Sequence, residues 1–425
     1  MNFITESRKV KKDKLKESEQ FLSLHKIYEP NLTELLKKCY QCARCSGVCQ
    51  VSKVQKFTPS RIIQMILEGF EDEIINSQVL WDCLMCNSCL QHCPKDINFA
   101  DIVRNARYKM RLNNIENPVR AIAHKGIYPL MSELMIQDNI SIERPLDWIP
   151  KGCKISEKGD TLYYVGCLPL FNYEFEGSYS IAESTLKIMC QLEEDPIVVQ
   201  KDEICCGHDL YWGQAKFVEF IELAKRNLGN FEKAGIKSIV TACAECYRTF
   251  KIDYPNIFDD FNKKFNVQHI IEYIFDKWKQ GKVQFKKPTN SNEVIPFTYH
   301  DPCRLSRFLP KDNKITEKVR EIFIHLKTIG YYFKEMEHNK ENSYCCGVNS
   351  WMNCNEKSKA LRYKRLLEAK AVSTKMITSC PKCRMHLNCL KKDYEDFSDI
   401  EILDFSEFLV DMIEIVNSNQ NEGEK

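Results

Sequence analysis

The 425-residue chain contains no apolar run of 18 residues or more, so no segment reads as a membrane-spanning helix. Its first twenty residues, Met1 to Gln20, are dominated by Lys, Glu and Ser and offer no apolar core of the kind that a secretory leader needs. Charge of one sign is also missing. With 61 basic and 59 acidic side chains the formal net charge is +2, which gives no electrostatic footprint for nucleic acid. No glycine-rich nucleotide or flavin motif is present, so any electrons the protein handles must come from a partner. These absences lead to the expectation of a cytoplasmic protein that touches a membrane only through a partner subunit.

What the chain has in abundance is cysteine. Of 22 cysteines, 18 fall into four motifs with short internal spacings, far more than buried structural thiols require. A secreted disulfide scaffold would be shorter and would carry an export signal. With 44% hydrophobic and 28% charged residues the chain reads as globular, and its length calls for two or three domains.

Residues 1–30 read as a charged, solvated arm and residues 31–114 as a mainly helical ferredoxin-like domain. In that domain Cys39, Cys42, Cys45 and Cys49, and again Cys83, Cys86, Cys89 and Cys93, follow the spacing C-x2-C-x2-C-x3-C. Thiolates at this spacing wrap cubane [4Fe–4S] clusters, and in two-cluster ferredoxins the fourth cysteine of each run serves the other cluster. The expected sets are therefore Cys39, Cys42, Cys45 and Cys93 for one cluster and Cys83, Cys86, Cys89 and Cys49 for the other. Zinc sites pair two Cys-x-x-Cys units and have no use for the third and fourth cysteines of a run. Pro94 follows the second run, whereas Gln50 stands in its place after the first. The 33 residues from Gln50 to Asp82 should add one or two helices, the first opening at Thr58-Pro59-Ser60. Phe99 to Leu112 reads as an amphipathic helix whose Arg104, Arg107, Lys109 and Arg111 form a solvated basic face. Residues 115–160 read as a partly helical linker, and 417–425 as a flexible tail.

Two tandem units fill residues 161–288 and 289–416. Each has a lone cysteine (Cys167; Cys303), an adjacent pair followed by glycine (Cys205-Cys206-Gly207; Cys345-Cys346-Gly347) and a Cys-x-x-Cys (Cys243, Cys246; Cys380, Cys383). The three landmarks repeat at offsets of 136, 140 and 137 residues, the mark of a copied unit with one fold. Short β-prone runs at Thr161–Val165, Pro196–Val199, Ile236–Thr241, Pro296–His300 and Lys375–Thr378 alternate with helical stretches at Ile181–Leu192 and Phe217–Ala234. That pattern implies pseudo-symmetric α/β units with parallel sheets and cysteines at the strand ends. Adjacent thiols suit neither a relaxed disulfide nor one tetrahedral ion, whereas a larger iron–sulfur core lets neighbours bind different irons.

The arrangement closely resembles the CCG domains of heterodisulfide reductase and related iron–sulfur oxidoreductases. The ferredoxin-like half followed by two CCG units is similar to the fused D-type catalytic polypeptide of the membrane-linked heterodisulfide reductase of anaerobic methanogens. Tyr299-His-Asp-Pro-Cys-Arg304 and Ser379-Cys-Pro-Lys-Cys383 strengthen the resemblance, which covers residues 35–415. It implies a noncubane [4Fe–4S] cluster on Cys167, Cys205, Cys206, Cys243 and Cys246 and another on Cys303, Cys345, Cys346, Cys380 and Cys383. It also implies reduction of a mixed disulfide to two thiols, with electrons from a membrane cytochrome b-like or flavin-containing donor subunit. The same architecture occurs in polypeptides that only relay electrons, in glycerol-3-phosphate, glycolate or lactate, and thiol:fumarate systems. His208 and His300 are candidate proton donors to departing thiolates, and Arg304, Arg307 and Lys382 candidate partners for an anionic substrate tail. Cys153, Cys190, Cys354 and Cys389 read as buried thiols and Trp351 as packing. The stretch Val348 to Cys354 departs from the glycine-rich segment common after the second CCG.

Overall fold

The computed structural model describes residue 29 and residues 31–56, 58–77, 79–115, 132, 134–137, 143–170, 177–288, 296–347 and 354–416. The charged arm up to residue 28, most of 116–142, the stretch 348–353 with Trp351, and the tail lie outside the described residues. None of the described helices is long and apolar enough to cross a membrane.

The N-terminal region is helical: α1 (Leu32–Leu36), α2 (Arg44–Val48), α3 (Pro59–Leu67), α4 (Glu71–Asn76), α5 (Ser88–Gln91) and α6 (Phe99–Leu112). The segment between the cysteine runs supplies two of these, α3 and α4. Thr58 precedes α3 in extended conformation with Pro59 in the first turn, but the Thr58 hydroxyl makes no cap bond. Burial of Ile62, Ile63 and Ile66 holds α3 in place instead. The basic face of α6 is solvated only toward its end: Arg111 is exposed and Lys109 half-buried, whereas Arg104 and Arg107 are buried. Arg107 is fully buried and donates to the carbonyls of Leu80 (2.8 Å), Gly213 (3.1 Å) and Cys83 (3.2 Å). Arg104 lies over the rings of Tyr211 and Trp212, 4.3 and 4.5 Å from their centres. Planar guanidinium groups can be buried in this way because carbonyls and aromatic faces replace their water.

The first unit is a five-stranded parallel sheet of β1 (Ile155–Ser156), β2 (Thr161–Tyr163), β3 (Ile197–Val198), β4 (Ser238–Thr241) and β5 (Asn266–His269), in the order β1-β3-β2-β4-β5. Its helices include α7 (Tyr179–Leu192), α8 (Phe217–Ala234), α9 (Ala244–Arg248) and α10 (Ile270–Lys279), and it closes with β6 (Val283–Phe285). The second unit runs β7 (Pro296–His300), α11 (Cys303–Ser306), α12 (Ile315–Thr328), β8 (Tyr332–Phe333), α13 (Glu356–Lys370), β9 (Lys375–Thr378), α14 (Pro381–Lys391), β10 (Glu401–Asp404), α15 (Phe405–Leu409) and β11 (Ile413–Ile415). Its parallel sheet has the order β10-β9-β7-β8, which matches β5-β4-β2-β3 of the first. The central strands are apolar and buried, as crossover connections require: Ile239 and Val240 in β4, Met376 and Ile377 in β9.

The two units exchange their last elements. Helix α10 packs on α12 of the second unit, α15 packs on α7 of the first, and β6 pairs antiparallel with β11, Phe285 opposite Ile413 and Val283 opposite Ile415. A ribbon of two equivalent strands running antiparallel is a local pseudo-twofold, and it turns the carboxyl ends of the two sheets toward each other.

Candidate metal centre

In the N-terminal runs the backbone curls in the same way twice. Gln41 (φ 59°) and Ala43 (φ 59°) in the first run, and Met85 (φ 51°) and Asn87 (φ 61°) in the second, occupy the same two positions in left-handed conformation. Non-glycine residues hold that conformation only where the surroundings impose it. Here it sends backbone N–H groups toward sulfur, with Met85 N donating to Cys83 Sγ at 3.4 Å; beyond the run, Ile97 N donates to Cys93 Sγ at 3.3 Å. Cys49 lies within electrostatic reach of Cys83, Cys86 and Cys89, and Cys93 faces Tyr40 together with Cys42, so each fourth cysteine sits beside the other run. Burial pushes the Cys83 thiol up to about 12 and Cys89 well above its ordinary value.

In the tandem units the ten motif thiols form one row. Each thiol acts on the next along a path from Cys167 to Cys205, Cys206, Cys246 and Cys243, across to Cys380, and on through Cys383, Cys346 and Cys345 to Cys303. The crossing pair, Cys243 and Cys380, marks the pseudo-twofold. Three thiols of the row are pulled toward thiolate by their neighbours: Cys205 by Cys167, Cys380 by Cys243, and Cys346, at about 5, by Cys345 and then Cys383. All ten cysteines are free; eight are buried, and the lone Cys167 and Cys303 are half-buried. The five thiols of the second unit line one recess with Leu84, Glu245, Arg304 and Lys382. Sulfur donors in fives around such a recess fit an iron–sulfur group, and they exceed what a four-coordinate zinc ion can use.

The glycine of each Cys-Cys-Gly is imposed by space. Gly207 has φ +83°, and a Cβ there would lie 2.7 Å from Phe220 Cδ2. Gly347 has φ +79°, and its Cβ would meet the Ser358 carbonyl oxygen at 2.9 Å and Arg362 Cγ at 3.0 Å. Because the first obstacle at Gly347 is backbone, Gly347→Ala is expected to lower stability by about 2–4 kcal/mol. Thermal unfolding of the variant beside the wild type measures this, and an unchanged midpoint would refute the close approach.

Across the pseudo-twofold the equivalent middle residues of the two Cys-x-x-Cys turns are an acid and a base, Glu245 and Lys382. Lys382 Nζ lies 2.6 Å from Glu245 Oε2 and 2.8 and 3.1 Å from the Asp209 carboxylate oxygens. Burial, against the pull of Lys382, pushes the Glu245 carboxyl up to about 8. Neither carboxylate stood out in the sequence. Aligning Glu245 with Lys382 through the repeat was the signal that could have found them.

His208 and His300 are both buried beside the row. His208 Nδ1 is 3.0 Å from Thr249 Oγ1 and Nε2 is 3.6 Å from Glu245 Oε1. Burial, followed by the charges of Arg304 and Lys382, holds His208 well below its ordinary value. For His300, burial and then Arg365 and Arg307 do the same. Arg365 Nε donates to His300 Nδ1 at 2.9 Å, so the proton of the neutral ring sits on Nε2, which has no hydrogen-bond partner among the described residues. The residues read as a linker also reach the site. Ser132 Oγ donates to Cys205 Sγ at 3.4 Å, and Cys205 N lies 3.1 Å from Met135 Sδ. Arg144 ties the Cys167 turn to the segment before Cys205 through the carbonyls of Gly166 (2.6 Å) and Glu203 (2.5 Å). No motif spacing pointed to these three.

Comparison with protein families matches a 4Fe-4S dicluster domain to residues 35–97 and the cysteine-rich CCG domain to residues 161–251 and 297–388. The chain carries two CCG domains behind a 4Fe-4S dicluster domain. It is 27% identical over 341 residues to the D-type polypeptide of dihydromethanophenazine:CoB–CoM heterodisulfide reductase of Methanosarcina mazei, covering 79% of this chain and 77% of that protein. It is 27% identical to the B-type polypeptide of a fumarate reductase (CoM/CoB) of Methanothermobacter marburgensis, over 89% of this chain and 72% of that one. It is 23% identical to an EtfAB:quinone oxidoreductase of Syntrophomonas wolfei, over 79% of this chain and 47% of that one. The protein is thus an iron–sulfur oxidoreductase of the CCG family, related to the D-type polypeptide of heterodisulfide reductase.

The dicluster domain is fastened to the second CCG domain beside its thiols. Arg307 Nε donates to the Cys86 carbonyl (2.7 Å), while its Nη1 donates to the carbonyls of Ser343 (2.7 Å) and Glu341 (3.1 Å). Gln50 Oε1 accepts the Cys345 N–H at 3.1 Å. The residue that replaces the usual proline thus has a role that proline, without a side-chain acceptor, could not fill. Trp212 joins all three parts, since Arg104 of the dicluster domain, Arg248 of the first CCG domain and Arg304 of the second lie 4.5, 4.5 and 5.0 Å from its ring centre.

Proposed function

We propose that this chain is a disulfide reductase of heterodisulfide reductase type, which splits a low-molecular-weight disulfide at the paired CCG sites. One observation carries the reading: the ten thiols form a single row that crosses between the domains at Cys243 and Cys380, so that the two sites adjoin as one bond's two halves require. In this reading Cys39, Cys42, Cys45 and Cys93 hold one cubane [4Fe–4S] cluster and Cys83, Cys86, Cys89 and Cys49 the other. Cys167, Cys205, Cys206, Cys243 and Cys246 hold one noncubane cluster, and Cys303, Cys345, Cys346, Cys380 and Cys383 its counterpart. When bound, such clusters supply electrons one at a time, two of which reduce a disulfide.

The chain's own residues have distinct parts. Cys167 and Cys303, the half-buried thiols of the row, lie on the side from which substrate enters. Arg304 lines the recess, and its Nε and Nη1 are buried without hydrogen-bond partners among the described residues, so it is the candidate for an anionic substrate tail. Lys382, bound by Asp209 and Glu245, instead balances charge between the domains. The neutral His300 ring would steady a departing thiolate by hydrogen-bond donation from Nε2, a tautomer that Arg365 fixes by donating to Nδ1. Electrons come from a partner subunit with a flavin or a membrane cytochrome.

The relation to a quinone oxidoreductase supports a second reading, in which the chain only relays electrons between a flavin dehydrogenase and another acceptor. Anaerobic purification, iron analysis and electron paramagnetic resonance separate the two. About 16 iron atoms per chain are expected for four [4Fe–4S] clusters. A paramagnetic signal that appears on oxidation with a thiol, together with turnover of a small disulfide by an artificial donor, would support the reductase. A full complement of iron with no thiol-dependent signal and no turnover would overturn it in favour of the relay.

A further inference from the structure

Two cysteines outside the motifs, expected to be buried, are half-exposed and meet each other. Cys153 lies two residues before β1, and Cys190 lies in the last turn of α7, which leads into β3. Strands β1 and β3 are paired, and the Lys154 carbonyl accepts the Ile197 N–H at 3.0 Å, so the backbone on both sides of the pair is pinned. The Cys153 thiol donates to the Leu186 carbonyl, one turn before Cys190 on the same helix, at 3.8 Å. The Cys190 thiol lies within electrostatic reach of the Cys153 thiol and of the Lys154 backbone. Both cysteines line a surface groove, together with Lys151, Glu183, Lys187 and Asp411. No motif thiol lines this groove.

We propose that Cys153 and Cys190 form a redox-active dithiol on the outer face of the first CCG domain, which a small-molecule disulfide oxidises to an intramolecular disulfide. The reaction balances without further reagents. The thiolate of one cysteine attacks the small disulfide and releases one small thiol. The other cysteine then attacks the resulting mixed disulfide, forms the Cys153–Cys190 bond and releases the second thiol, so that two thiols are oxidised and one disulfide is reduced. Formation of the bond would staple both ends of the segment that carries β2 and Cys167, the lone cysteine of the first CCG site. The proposal stands whichever substrate the paired sites use. Burial and the neighbouring thiol hold Cys190 above the ordinary thiol range, so exchange should quicken as pH rises.

The test uses anaerobically purified protein with its iron in place, incubated with bis(2-hydroxyethyl) disulfide, alkylated, digested and analysed by mass spectrometry. The expected result is that the Cys153 and Cys190 peptides leave the alkylated pool together. They should reappear as one cross-linked species about 2 Da below the sum of the two thiol peptides, with the iron content unchanged. In Cys190→Ser, Cys153 should accumulate as a stable mixed disulfide with the small thiol. Two cysteines that stay alkylatable, or that each carry the small thiol without a cross-link in the wild type, would overturn the proposal.

Discussion

Cys346→Ala is expected to lose about a quarter of the protein's iron, near four atoms of about 16, and to abolish disulfide reduction by at least ~100-fold. Cys346 is buried, follows Cys345 directly, and sits between Cys345 and Cys383 in the row. Its thiol is held down at about 5 by the hydrogen bonds of those two neighbours, so it is already disposed to bind metal as thiolate. Alanine removes the ligand and leaves Cys345 and Cys383 facing an apolar methyl group. The dicluster domain should keep its own iron and its spectrum, because its eight cysteines lie in separate loops joined to this site through Arg307 and Gln50 rather than through shared thiols. Cys389→Ala, outside every motif, serves as the control with unchanged iron. A Cys346→Ala protein with full iron and undiminished turnover would remove the second CCG site from the mechanism.

Lys382→Met should destabilise the protein by about 3–5 kcal/mol, because it strips the amino group that the buried Asp209 and the half-buried Glu245 share. Lys382 is only 3% exposed, and its contacts with Asp209 and Glu245 span the boundary between the CCG domains. With the ammonium gone, Asp209 and Glu245 repel each other, and Arg304 remains as a positive charge acting on Glu245. One of them can take up a proton, and Glu245, already pushed up to about 8, is the one disposed to do so. That uptake should make the loss smaller at low pH than at high pH. The double variant Lys382→Met with Glu245→Gln should recover ~1–3 kcal/mol relative to the sum of the single variants. Thermal or denaturant unfolding of the four proteins gives the coupling. Strict additivity would show that the pair does not act as a unit.

The two results bear on different kinds of legibility. Ligand spacing is local chemistry: the runs Cys39–Cys49 and Cys83–Cys93 and the triplicate landmarks of the repeat could be read directly, as could the strands at Pro296–His300 and Lys375–Thr378. Where local pattern and tertiary context diverged, context won. The basic stripe of α6 has the periodicity of a solvated face, yet Arg104 and Arg107 are buried because aromatic rings and free carbonyls from distant segments meet them. Cys153 and Cys190 lie 37 residues apart with no motif around them, and only the pairing of β1 with β3 brings them together. Residues 116–131 and 348–353, on which the linker and the departure after the second CCG depended, lie outside the described residues.

By itself the sequence determined where this protein concentrates its thiols: eighteen cysteines in four spaced motifs, the last two in a copied order. It could do so because metal-ligand spacing is a constraint between near neighbours on one chain. The tertiary structure decided how those sites relate. The antiparallel β6–β11 ribbon joins the two domains about a local pseudo-twofold, and across it Cys243 meets Cys380 and Glu245 meets Lys382. Contacts of this kind join residues 137 positions apart, and no local spacing encodes a distance that the packing of two whole domains must set.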